Sequence, residues 1–188
     1  MTITFKRALP YIYIVAGVIG IIASFALTYD KIQVLKDPSY NPGCNLSPIL
    51  SCGSVMKTQQ ANVLGIPNTI YGLMAFSMLT MLGIVLLAGA NLKNWLWRVI
   101  NAGALIGFGF FLYLYFQAVF RIQAICPYCF AVWLVVPPVL WYTTLYNLQR
   151  AKKGNWLQAH HGDVMLGWYV IFFGILLQHF WYYWQTLI

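Results

Sequence analysis

The sequence predicts an all-α integral membrane protein with five transmembrane helices, and three observations lead there. Of its 188 residues, 61% are hydrophobic and 7% charged, and Glu is absent. A soluble chain carries roughly a quarter charged residues. Five apolar stretches, roughly 9–28, 69–90, 95–119, 127–147 and 165–186, match the about 20 residues that a span needs. None shows the alternating polarity of a membrane β-strand. A helix is the other backbone whose polar groups are satisfied inside lipid.

The net charge is +8, with the basic residues scattered at predicted helix ends. That placement fits topology and headgroup contact better than a nucleic-acid surface. Lys6, Arg7, Lys93, Arg98, Arg150, Lys152 and Lys153 fall on one side; Lys31, Lys36, Lys57 and Arg121 fall on the other. The short, basic connections mark the cytoplasmic face. The N-terminus is therefore expected in the cytoplasm, with the C-terminus and all four cysteines outside. Lys6-Arg7, the apolar run and Ser24-Phe25-Ala26 also read as a signal peptide. That run is longer than usual for such a peptide, and the cysteines stay external on either reading.

The chain reads as a single membrane domain over 1–188. Its one long connection, 29–68, holds Asp30 and Asp37, and Pro38, Pro42, Gly43 and Pro48 break its first half. Residues 49–63 fit a short helix on the membrane surface. Gly65-Ile66-Pro67 ends it, and Asn68 or Thr69 is expected to cap the second span. Aromatic residues at predicted interfaces (Tyr11, Tyr13, Trp95, Trp97, Trp141, Tyr142, Trp181 to Trp184) read as belts. Gly103, Gly107 and Gly109 are expected to allow close helix packing. Pro137-Pro138 is expected to kink its helix. His160 and His161 fall at headgroup level, and His179 reads as a packing residue near the outer interface.

The chemistry lies in Cys44, Cys52, Cys126 and Cys129. Pro127 suits a first helical position, which puts Cys126 at the N-cap and Cys129 in the first turn. A helix N-terminus favours the thiolate, the species that attacks disulfides. Cys-x-x-Cys at the mouth of a span, with a second external pair, points to electron relay. Inert structural disulfides and a four-cysteine zinc or iron–sulfur site remain the alternatives. Seven residues between Cys44 and Cys52 is loose spacing for a metal knuckle. Phe130 after Cys129 sets aside covalent haem attachment. Without a nucleotide loop or haem site, the electrons need a lipid-soluble acceptor, and a quinone fits. Asn68, at the start of the second span, is placed to donate a hydrogen bond to it.

Cys44 and Cys52, then Gly65-Ile66-Pro67-Asn68-Thr69-Ile70-Tyr71-Gly72, then Cys126-Pro127-Tyr128-Cys129 together resemble the vitamin K epoxide reductase family in its bacterial form, over about 10–148. The resemblance implies a four-helix bundle core around a quinone (ubiquinone or menaquinone), with the fifth helix, about 165–186, added to it. It implies that Cys44 exchanges with a thioredoxin-fold partner, that Cys52 passes electrons to Cys126, and that Cys129 faces the quinone. Asn68 would hydrogen-bond the quinone, Tyr71 would line its pocket, and Thr58 is the nearest candidate for a serine or threonine that follows the second loop cysteine by several residues. Trp133 stands where vertebrate members carry a tyrosine, which fits plain quinone reduction better than epoxide reduction. The expected protein is a thiol:quinone oxidoreductase of the bacterial plasma (inner) membrane, serving a separate DsbA-like partner outside the cytoplasm. The chain stops at Ile188 after its fifth span, where many bacterial members continue into a thioredoxin-like domain, so truncation from such a fusion stays open. DsbB-like enzymes are functional neighbours, but their Cys-x-x-Cys lies in the first external loop.

Overall fold

Residues 5–37, 39–45, 47, 49–152 and 155–185 are described by a computed structural model. Pro38, Pro48, Lys153, Ile188 and the side chain of Trp184 lie outside the described set. The helices are α1 (Phe5–Lys36), α2 (Cys52–Met56), α3 (Asn68–Leu87), α4 (Asn94–Phe116), α5 (Pro127–Arg150), α6 (Asn155–Ala159), α7 (His161–His179) and α8 (Trp181–Trp184). Two 3-10 turns, Gln59–Ala61 and Val63–Gly65, lie between α2 and α3, and α4 continues into a π-helical turn, Gln117–Ile122. Five of these segments are long and apolar enough to cross a membrane: Arg7–Lys36, Asn68–Leu87, Asn94–Ile122, Pro127–Arg150 and His161–His179. The chain is a multi-pass membrane protein. Large apolar side chains such as Ile22, Met78, Ile106 and Leu166 face outward, where lipid is their solvent.

Two helix limits differ from the apolar runs. The first helix passes 28 and continues to Lys36, because 29–36 contains neither Pro nor Gly. The fifth span starts at His161 and ends at His179, where Phe180 turns the chain into α8. In α5 the helix is unbroken through Pro137 and Pro138.

Spatially, α1 lies between α3 and α5, and α5 also packs on α4. Close approach of α1 to α3 rests on glycine. A Cβ on Gly17 would strike Thr80, and one on Gly20 would strike the ring of Phe76. A Cβ on Gly83 would lie 2.8 Å from Pro10 O. The expectation for Gly103, Gly107 and Gly109 is corrected: a Cβ at any of them would meet nothing within 4 Å. Each stands at an open position on α4, and spacing alone does not say which glycine meets a neighbour.

Two belt assignments are also corrected. Tyr13 is fully buried, and its hydroxyl meets Thr143 Oγ1 at 2.6 Å between α1 and α5. Trp97 is buried against Tyr146, and its carbonyl accepts from Asn147 Nδ2 at 3.1 Å. Tyr11, Trp95, Trp181 and Tyr182 are exposed, as a belt requires. The span α7 joins α4 and α5 through Phe172, which packs on Tyr115 and Trp133. The ring of His179 packs edge-on against Phe120 and Phe180.

Candidate functional site

A cap formed by the described residues between 37 and 67 covers one end of the bundle and carries Cys44 and Cys52. Ser51 is the N-cap of α2, its Oγ accepting from Ser54 N–H at 3.1 Å. Asn45 Oδ1 accepts from Gly53 N–H (2.9 Å) and Ser51 Oγ (3.0 Å), tying the chain beside Cys44 to the start of α2. Lys31 Nζ reaches from α1 to Met56 O at 2.7 Å, holding the other end of that short helix.

The second pair comes from α5. Cys126 is the N-cap and Pro127 the first residue, as Pro127 leads one to expect. The residue before it fixes the cap in place: Ile125 N–H donates to Ile49 O (2.7 Å), and Ser51 N–H donates to Ile125 O (3.1 Å). These two bonds bring Cys52 against Cys126.

Cys44 and Cys52 are disulfide-bonded, with Cα atoms 5.7 Å apart, while Cys126 and Cys129 are free thiols. Cys126 Sγ lies 3.2 Å from Cys52 Sγ. Three sulfurs thus stand in sequence, with the free one against the inner atom of the disulfide. Cys44, Cys52 and Cys126 are buried at 7%, 0% and 1% exposure, so an outside thiol reaches Cys44 only by parting the cap. The Cys129 thiol beside it and the backbone N–H groups of Cys129 and Tyr128 hold Cys126 below the usual thiol value, against the opposing effect of burial. Among the described residues, no group of three or more His, Cys, Asp or Glu side chains is gathered to hold a metal ion.

A mostly apolar cavity opens beneath the cap where α1, α3, α4 and α5 meet. Its lining includes Cys126, Cys129, Trp133, Asn68 and Thr58, but not Tyr71. Tyr71 is turned toward the cap, its hydroxyl 3.4 Å from Val63 O. Pro67, with no side-chain cap, precedes α3, which corrects the expectation for Asn68 and Thr69. The Asn68 amide instead grips the 3-10 turns: Nδ2 donates to Gln60 O (2.7 Å), and Oδ1 accepts from Val63 N–H (3.0 Å). Thr69 Oγ1 also lines the cavity, buried and without a hydrogen-bond partner. Thr58 Oγ1 donates to Val55 O at 2.8 Å.

Two features escape the sequence reading. Asp30, placed there in a loop, lies on the extension of α1; it is buried, with Oδ2 3.6 Å from Cys44 Sγ. The missing breaker before Lys36 is the signal that could have found it. The π-helical turn contributes Gln117, Ala118 and Ile122 to the cavity wall, and such turns often mark functional sites.

Apolar spans capped by a segment that holds a disulfide against a free thiol are the build of a membrane thiol–disulfide protein. The sequence matches the model of the Vitamin K epoxide reductase family over residues 11–144, and the chain belongs to that family. No curated protein matches it. Membership supports a membrane disulfide and quinone redox enzyme in general, with a thioredoxin-like redox partner.

Proposed function

We propose that the protein is a thiol:quinone oxidoreductase that generates disulfides in a separate thioredoxin-fold, DsbA-like protein outside the cytoplasm. The observation that carries this reading is the 3.2 Å approach of Cys126 Sγ to the Cys44–Cys52 disulfide. Thiol–disulfide exchange proceeds by attack of a thiolate on a disulfide sulfur, and here attacking and attacked atoms already touch. Cys44 receives the partner's thiolate and Cys52 leaves. Cys52 then attacks Cys126 of a Cys126–Cys129 disulfide and Cys129 leaves, facing the cavity. For Cys52 to serve both neighbours, the cap must shift.

The cavity suits a quinone ring: its walls are apolar, Thr69 Oγ1 is an unpaired polar atom within it, and Asn68 Nδ2 keeps a second N–H. When bound, a quinone supplies a two-electron, two-proton acceptor. Asn68 and Thr69 would hold its oxygens, Trp133 would pack on the ring, and Tyr71 would brace the cap above. Arg7, Lys93, Arg98, Arg150 and Lys152 lie at the helix ends, or in the connections, away from the cysteines. That distribution supports a cytoplasmic N-terminus and an external cysteine face on a bacterial plasma membrane.

The test is quinone absorbance after mixing purified protein with a reduced thioredoxin-fold protein and a soluble quinone. Turnover by the wild type, and none by Cys126→Ser or Cys129→Ser, is the expected result. Cys44→Ala should still reduce quinone with a small dithiol but lose the protein partner. Absence of wild-type turnover with ubiquinone and menaquinone analogues overturns the reading.

A further inference from the structure

We infer that the Asp30 carboxylate sets the direction of disulfide transfer along the three-sulfur line, making Cys44 a poor leaving group and so driving the disulfide outward. The inference rests on the exchange role proposed above for Cys44, Cys52 and Cys126.

Asp30 is 8% exposed, in the stretch of α1 that continues beneath the cap. One oxygen lies 3.6 Å from Cys44 Sγ, and the other accepts from the Tyr40 hydroxyl at 3.0 Å. The tyrosine fixes the carboxyl so that it faces the sulfur. Around it stand Tyr40 and Cys44 from the cap and Cys126 from the start of α5, with Tyr29 and Tyr128 acting on Tyr40. Lys31, next to it in α1, directs its ammonium to Met56 O.

In the outward step, the Cys44 thiolate attacks Cys52 Sγ of a Cys52–Cys126 disulfide. The Cys44–Cys52 bond forms, the Cys52–Cys126 bond breaks, and Cys126 takes the electron pair. One disulfide and one thiolate stand on each side, so electrons and protons balance. The two thiolates are not equivalent. At Cys44 the charge would sit beside a carboxylate, and a like charge disfavours the ionised form. At Cys126 it sits at the N-cap of α5, where the Cys129 thiol and the first backbone N–H groups favour the thiolate and Asp30 opposes it only as the smallest influence. The thiol with the lower pKa leaves faster, so Cys126 is the preferred leaving group.

The test uses the full chain carrying Cys129→Ser and one disulfide shared among the three remaining cysteines, with neither partner nor quinone. The ratio of Cys44–Cys52 to Cys52–Cys126 is equilibrated at about pH 10, where the released sulfur is a thiolate, and read by mass spectrometry after acid quenching. Asp30→Asn should lower that ratio about tenfold or more, Asp30→Glu should keep most of it, and Tyr40→Phe should lower it less than Asp30→Asn. In a chain whose only cysteine is Cys44, Asp30→Asn should also move the pH dependence of reaction with uncharged 4,4′-dithiodipyridine to lower pH. A ratio that stays the same or rises in Asp30→Asn, or an unmoved pH dependence at Cys44, overturns the inference. Quinone turnover is measured separately, so failure of the proposed function shows there and not in this ratio.

Discussion

The α1–α3 seam and the cap over the cysteines are held by different forces. The seam is glycine against side chain, with Gly17 and Gly20 meeting Thr80 and Phe76, and nothing larger fits there. The cap is held by side-chain grips from Asn45, Lys31 and Asn68, one backbone bridge and a disulfide. In lipid, helices gain little from hydrophobic burial against each other, so close packing does that work. In the cap, hydrogen bonds that exchange readily with solvent suit the shift between sulfurs that the proposed function asks of it. The difference separates a seam closed by direct helix approach from a cap held by individual hydrogen bonds.

The largest break should come at the seam. Gly20→Leu should destabilise the solubilised protein at or above the upper end of the roughly 1–3 kcal/mol typical of overpacking. Gly107→Leu, on an open face of α4, should shift stability by less than about 0.5 kcal/mol. Equal effects in denaturant titrations would show that the seam is no tighter than that open face.

The cap should break locally. Asn45→Ala leaves Gly53 N–H and Ser51 Oγ without their shared acceptor, a loss of about 1–3 kcal/mol confined to that segment. Hydrogen exchange at Gly53 should speed about tenfold or more, while the bundle helices keep their protection. Protection lost across α1 and α3 as well would make cap and frame a single cooperative unit.

A pH profile sharpens the sulfur geometry. Because Cys126 is held below the usual thiol value, chiefly by Cys129, its thiolate persists to lower pH. Its exchange with Cys52 should fall only as pH drops through that lowered value. Cys129→Ala removes the donor, so the fall should begin at higher pH than in Cys129→Ser, which keeps a hydroxyl. Coincident profiles for the two variants would remove Cys129 as the cause.

The smallest effect belongs to Tyr13→Phe. It deletes one hydrogen bond to Thr143 within the frame, worth about 0.6 kcal/mol for interhelical bonds in a membrane. Thermal unfolding should register that small loss, with exchange rates in the cap unaltered.

Much of this molecule is legible locally. Pro127 after Cys126 announces a helix start, and the structure puts the N-cap there. The apolar runs announce five spans, and five are found among the described residues. Tyr13 and Trp97 were misjudged because an aromatic near a helix end looks the same in sequence whether it faces lipid or a neighbouring helix. Asp30 was misplaced because hydropathy marks where lipid ends, not where the helix does.

Sequence alone determined the spans, the N-cap position of Cys126 and the family, since each depends on nearby residues and on the need to satisfy backbone groups within lipid. Tertiary structure decided which sulfur touches which: Cys52 and Cys126 meet across 74 positions of chain. It also decided that Asp30 stands beside Cys44, and that Gly17 and Gly20, not Gly103 and Gly107, make the seam. Those outcomes depend on which helix faces meet, and a residue's spacing along its own helix does not carry that information.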